Sequence, residues 1–292
     1  MEIVFQAVAN AVCAGASYAL IALGFGLILR AAGVFHVAHG FVMSLAAYTV
    51  WWMVPSTGLL VSCVVSLIVA AIVGLSTDKF IYRPMRIQGA QRTQLLIASL
   101  GILIFGQALL SLFFGDDVQT IDVGPLQGSV VIFDGVRLTY VQLAMLVVGL
   151  GSCLIYSLVI QFTGWGRVIR AVSEDTTRAE ASGIPVHQTV SIVLAFGSVA
   201  GAVASILIAL DVGLTPTLGF DILFLGVVTA IVAGTTGGLG VVVAGMGIAL
   251  FREAGGWWLS AYWQDAIVFV VMIGFMFLRP QGLFGQKIWE TR

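Results

Sequence analysis

Two short stretches hold the side chains best suited to chemistry in an otherwise apolar chain. Residues 33–40 read GVFHVAHG and place His36 and His39 three positions apart; residues 233–240 read AGTTGGLG and place Thr235 and Thr236 among glycines. Imidazoles exchange protons and ligate metals. A metal site needs three or four donors, and no Asp, Glu or Cys stands within 33–40 to complete one. Hydrogen bonding of a histidine to backbone at a break in a helix is the stronger reading. Residues 233–240 lack the lysine of a phosphate loop, and the chain holds neither G-x-S-x-G nor H-E-x-x-H. Close helix packing at a second break accounts for these glycines.

A glycine pair around two histidines cannot easily continue a membrane helix. The spacing predicts a break at 33–40 and a new helix near Phe41, whose free N–H groups and positive dipole end suit a carboxylate or a polarised carbonyl. Two glycine-rich breaks in the two halves are expected of a transporter built from related halves. The candidate pathway residues are therefore His36, His39 and Gly40 at the first break, and Thr229, Gly234, Thr235 and Thr236 at the second.

Composition decides the class. Hydrophobic residues make up 60% of the 292, charged residues 9%, and mean hydropathy is +1.08, against about 25% charged in a soluble domain. Apolar segments recur at about 11–29, 34–54, 57–76, 94–114, 138–162, 189–211, 219–234, 237–252 and 265–279. The last three are short for a bilayer that needs about 20 residues, which suggests half-helices. The expected fold is an all-α polytopic membrane protein forming one transmembrane domain over 1–292, with about 8–10 transmembrane or half-membrane helices, some of them discontinuous. A net charge of -1 argues against nucleic-acid binding. Cys13, Cys63 and Cys153 stand singly as packing residues, and the first segment reads as a retained helix.

The loops set an orientation. The 77–92 loop holds Lys79, Arg83, Arg86 and Arg92 against Asp78, whereas 115–137 holds Asp116, Asp117, Asp122 and Asp134 against Arg137. The first is cytoplasmic and the second external, so the N-terminus lies outside and the C-terminus inside. Of thirteen basic residues only Arg137 and Arg252 then face outward. Trp51, Trp52, Trp165, Trp257, Trp258, Trp263 and Trp289 fall at segment ends as interfacial anchors. Asp221 and Asp265 open the seventh and ninth segments, too near an interface to demand a proton relay.

One polar insert, 164–185, breaks the second half. It carries Arg167, Arg170 and Arg178 against Glu174, Asp175 and Glu180. Ser173 is placed to cap a helix of about nine residues, Glu174 and Arg178 to pair at i, i+4, and Gly183 with Pro185 to stop it. A neutral, capped cytoplasmic helix suits docking of a soluble partner.

The chain resembles the LivH-like permease subunits of branched-chain amino acid type ABC importers nearly end to end. The likeness rests on VAHG (37–40), YRPMR (82–86), ASLGILIFGQ (98–107), GRVIRAVSEDTTRAEASGI (166–184), PTLGF (216–220) and FLRPQGLFG (277–285). It departs from the common pattern at His36, Phe41, Leu225, Ala233 and Thr236. The resemblance implies a multi-pass permease of the bacterial inner membrane, without enzymatic activity or cofactor of its own. It implies that 166–184 is the coupling segment, with Arg167, Arg170, Glu174, Asp175, Arg178, Glu180 and Gly183 meeting an ATPase. The implied partners are two ABC ATPase subunits, a second permease, an external solute-binding protein and membrane lipid. The implied cargo is a branched-chain or other neutral amino acid, with urea or a short amide as the alternative within the family. Outside it stand an ion-coupled secondary transporter and a metalloenzyme using His36 and His39.

Overall fold

The computed structural model describes residues 2–283 apart from 134, 235–237 and 259. The chain runs through α1 (Glu2–Ala32), α2 (His39–Thr57), α3 (Leu59–Thr77), a π turn (Asp78–Tyr82), α4 (Arg83–Ile87) and α5 (Arg92–Phe114). A hairpin of β1 (Ser129–Phe133) and β2 (Val136–Thr139) follows, then α6 (Tyr140–Phe162), α7 (Gly164–Glu174), α8 (Thr176–Ala181) and α9 (Val186–Val212). The last helices are α10 (Leu218–Ala233), α11 (Leu239–Trp258) and α12 (Gln264–Leu278). Six described helices are long and apolar enough to cross a membrane, and α10 and α12 are shorter apolar helices. With no water in the hydrocarbon to satisfy backbone groups, such segments can only be helical.

Burial sorts the helices. The most apolar windows of α1 and α9 are 72% buried, against 22–28% for those of α3, α5 and α6. The outer helices turn Leu60, Val64, Ile104, Phe105, Ile155 and other large apolar side chains outward, a surface suited to acyl chains and not to water. Small residues set the inner spacing. A Cβ added at Gly15 of α1 would stand 2.6 Å from Met246 Cα of α11, and one at Gly245 would stand 2.5 Å from the Gly15 carbonyl oxygen, so the two backbones touch, as small-residue membrane interfaces allow.

One end of the bundle carries the hairpin. Gln6 donates to the Arg137 carbonyl and accepts from the Arg137 N–H, both at 2.8 Å, and so ties the start of α1 to β2. Gln119 pairs with Leu214 in an isolated antiparallel bridge. The stretch read as an acidic external loop over 115–137 thus leads into a two-stranded element at 129–139. The opposite end carries α4, α7 and α8.

Three expectations are corrected here. The basic stretch 77–92 is not a loop, because the helix continues through the π turn to Ile87. Pro84 has no N–H for the Phe80 carbonyl and its ring crowds that carbonyl, so the preceding turn widens and Arg83 N–H reaches the Asp78 carbonyl. The helix after the first break starts at His39, not near Phe41, with Gly40 N–H bonded to the Val37 carbonyl at 3.0 Å. Trp51 is no simple anchor: its ring meets Tyr48 and Phe114 edge-on, whereas Trp52 is 69% exposed. The side chains of Trp257 and Trp258, and Trp289 altogether, lie outside the described residues.

Candidate functional site

The first break is built from four helices. Gly33 takes φ +65, a conformation most side chains resist, and ends α1; 33–38 then run without helix. His36 Nδ1 and the Tyr82 hydroxyl share a 2.8 Å hydrogen bond, and Ala38 N–H donates to Ser99 Oγ of α5, also at 2.8 Å. His39 lies against Gly201 of α9, where an added Cβ would come 2.4 Å from its Nε2. Both histidines are fully buried, their ring centroids 5.7 Å apart. They share this pocket through the turn of the chain and not as one helix face, since His36 precedes α2. Among the described residues no third His, Cys, Asp or Glu joins them to form a metal-binding group.

Gly40 meets the start of α10. A Cβ on Gly219 would fall 1.9 Å from the Gly40 carbonyl oxygen. Ser44 of α2 accepts from Gly219 N–H at 2.9 Å and donates to the Pro216 carbonyl at 3.0 Å. The hydroxyl thereby serves one of the donors that a helix start leaves free. The PTLGF stretch is thus a buried helix start locked to α2.

The second break does not join the first. Gly234, at φ +80, follows the far end of α10, about 22 Å along the helix from Gly219 at 1.5 Å per residue. Its neighbour is the tail: Leu283 N–H donates to the Val232 carbonyl at 2.8 Å, and Gly282 packs on Gly234. Thr229 is fully buried on α10, and Thr235 and Thr236 lie outside the described residues. Asp265 pairs with Arg252 at 3.2 Å, and Arg252 also reaches the Tyr18 hydroxyl at 3.3 Å.

The polar insert is two helices and not one. Thr163 caps α7 by accepting from Gly166 N–H at 3.0 Å. Asp175, extended at φ -156, ends α7 and caps α8, its Oδ1 accepting from Thr177 and Arg178 N–H at 2.9 and 3.0 Å. Ser173 is therefore not the cap: it sits inside the last turn of α7, while Asp175 offers a charged acceptor one position before α8. Arg178 pairs with Asp175 at 3.0 Å and not with Glu174. With the Arg178 side chain 89% exposed, that pair adds little stability. Gly183, at φ +81, stops α8 as expected.

The charges face outward. Arg167, Glu174, Arg178 and Glu180 are exposed. Arg170 has a second task, donating to the Ile160 and Gln161 carbonyls at the end of α6, where a cation meets the negative end of the helix dipole. On the opposite face Ile169, Val172 and Ala179 are buried in a cluster with Ile28, Tyr82 and Val190. This cluster joins the insert to the end of α1, the π turn and the start of α9.

Sequence reasoning missed Asp78, Tyr82, Ser99 and Ser191. Tyr82 was visible within YRPMR, and Asp78 was counted only as a loop charge.

Residues 7–276 match the family model described as branched-chain amino acid transport system / permease component. The chain belongs to that permease family. The permease protein LivH of Escherichia coli strain K12 is 27% identical over 298 residues, covering 96% of this chain and 95% of the relative. LivH of Salmonella typhimurium, over 297 residues, and BraD of Pseudomonas aeruginosa, over 300, show the same identity and coverage. All three are named as high-affinity branched-chain amino acid transport permeases. PsaBC of Streptococcus pneumoniae, solved in complex with a Fab, aligns at a TM-score of 0.54 and 13% identity over 94% of this chain and 92% of that one; at that identity the likeness concerns the fold alone.

Proposed function

We propose that this permease is the membrane subunit of an ABC importer and passes a small neutral amino acid, a branched-chain one foremost, across the bacterial inner membrane. One observation carries the reading: α7 and α8 present a charged face to solvent and bury their apolar face against the elements that form the helix break. A soluble ATPase seated there has a direct mechanical hold on the bundle. α7 and α8 are then cytoplasmic, the hairpin is external, and the two termini lie outside and inside respectively, as the basic residues favour.

The assembly that this reading requires contains two ATPases, a second permease of this kind, and an external binding protein. His36, His39, Gly40 and Thr229 lie along the path in one rigid core. Gly234 lies at the other end of α10, beside the tail. The test is Glu180→Arg, which reverses an exposed charge on α8 without touching the core. The variant inserts and purifies like the wild type but takes up less than a tenth as much leucine in cells, a loss of at least ~1.4 kcal/mol in coupling. Wild-type uptake in the variant contradicts the proposed seat. Urea displacing leucine as the transported solute moves the cargo to the amide branch of the family.

A further inference from the structure

A push on α7 and α8 reaches the helix break through the apolar cluster they share with the end of α1, Tyr82 and the start of α9, and a set of polar contacts runs from α9 to the same break. α9 starts four residues after α8 ends. Its first turns carry Val190, which packs in the same cluster as Ile169, Val172 and Ala179, so the start of α9 moves with the coupling helices. The adjacent residue, Ser191, donates through its Oγ to Asp78 Oδ2 at 2.5 Å and also lies 3.0 Å from the His187 carbonyl. Asp78 is fully buried, and its other oxygen is held by Arg86 Nη2 at 2.6 Å. Asp78 opens the π turn and Tyr82 closes it. Tyr82, also fully buried, holds His36 through the 2.8 Å hydrogen bond at the break.

Resting on the importer reading, we propose that Asp78 and Tyr82 act as positioning residues in series. Movement of α9 passes through Ser191 to Asp78, is carried by the π turn, and reaches the break through the Tyr82–His36 bond. Two features set this apart from plain structural support. A buried ion pair is poor value for stability, since well-packed apolar residues of the same volume do as well. A π turn is a local irregularity found mostly at functional sites, and a wide turn can shift register at less cost than a regular one. The route also gives the YRPMR stretch a purpose: Pro84 produces the turn, Arg86 holds Asp78, and Tyr82 holds His36.

The test measures leucine imported per ATP hydrolysed by the assembled transporter in proteoliposomes, with Ser191→Ala, Tyr82→Phe and the double variant. Each substitution removes one hydroxyl and leaves the exposed charges of α7 and α8 untouched. In a series arrangement either single variant lowers the ratio about tenfold while ATP hydrolysis persists, and the double variant also falls only about tenfold, because the second break in a chain costs nothing more. Independent structural effects multiply to about a hundredfold and overturn the proposal. Unchanged ratios, or hydrolysis falling in step with uptake, overturn it as well. Ser191→Thr, which keeps the hydroxyl, restores the wild-type ratio; failure to do so has the same force should the double variant not assemble. A wild-type complex that hydrolyses ATP without accumulating leucine or a competing neutral solute marks failure of the importer reading itself.

Discussion

Asp78 carries a full charge into the bundle, and Arg86 and Ser191 engage both of its oxygens. Removing the carboxylate leaves a guanidinium that is only 17% exposed without its counter-charge. Asp78→Ala therefore costs about 3–5 kcal/mol, read as a lowered midpoint of thermal unfolding in detergent, whereas Asp175→Ala at the exposed α8 start leaves that midpoint within a degree or two. Gly219 is the second sensitive residue. A methyl there overlaps the Gly40 carbonyl oxygen and crowds the Ser44 backbone nitrogen and Oγ, and the backbone atoms of α2 cannot yield without shifting the helix. Gly219→Ala is expected to destabilise by about 1–3 kcal/mol or more in the same measurement, while Gly26→Ala, which has open space, does not. At this scale the sequence was partly legible. Two histidines beside glycines announced a break, but the expected hydrogen bond was from a histidine to backbone, whereas His36 bonds the side chain of Tyr82, 46 positions away. Asp78 sat among basic residues and looked solvated, because nothing local distinguishes a helix that runs on through Pro84 from one that stops at Thr77.

The elements follow the apolar pattern closely, since the bilayer enforces helix wherever the chain is apolar for long enough. Each of the nine apolar segments corresponds to a helix, with α10 and α12 short as expected, whereas α11, expected to be short as well, is long enough to cross. The insert is where local rules misled. Ser173 and Asp175 both qualify as caps, and choosing between them depends on α7, whose burial of Ile169 and Val172 extends the first helix to Glu174. The hairpin at 129–139 was hidden because its strands are only five and four residues long. The two-helix form of the insert makes a prediction. Asp175→Ala removes the cap of a six-residue helix and costs about 1 kcal/mol locally. Hydrogen exchange over 176–181 rises, ATPase binding weakens, and exchange over 164–174 is unchanged. Ser173→Ala has no such effect. Equal exchange in the two variants contradicts the assignment of the cap.

The whole molecule is an inner pair, α1 and α9, wrapped by helices whose outer faces suit lipid. Its ends differ in charge, hairpin and acids at one, arginines and coupling helices at the other. Cysteine placed at Arg178 should react with an impermeant maleimide only in inverted membranes, and cysteine placed at Gln127 only in intact spheroplasts; the reverse pattern inverts the topology. The class was legible from composition, and the family from motifs spread along the chain. The solute was not, because the buried polar atoms left without a hydrogen-bond partner, His36 Nε2, both His39 nitrogens and Thr229 Oγ1, form a set too general to name a ligand. The central claim is that transport through this chain is driven by an ATPase acting at α7 and α8. The most direct measurement is leucine accumulation in proteoliposomes holding the chain with its ATPases, second permease and binding protein. The account predicts accumulation against a gradient only with ATP on the α7–α8 side, and loss of it with Glu180→Arg. Accumulation by the purified chain alone under an ion gradient, with no ATPase present, would contradict it.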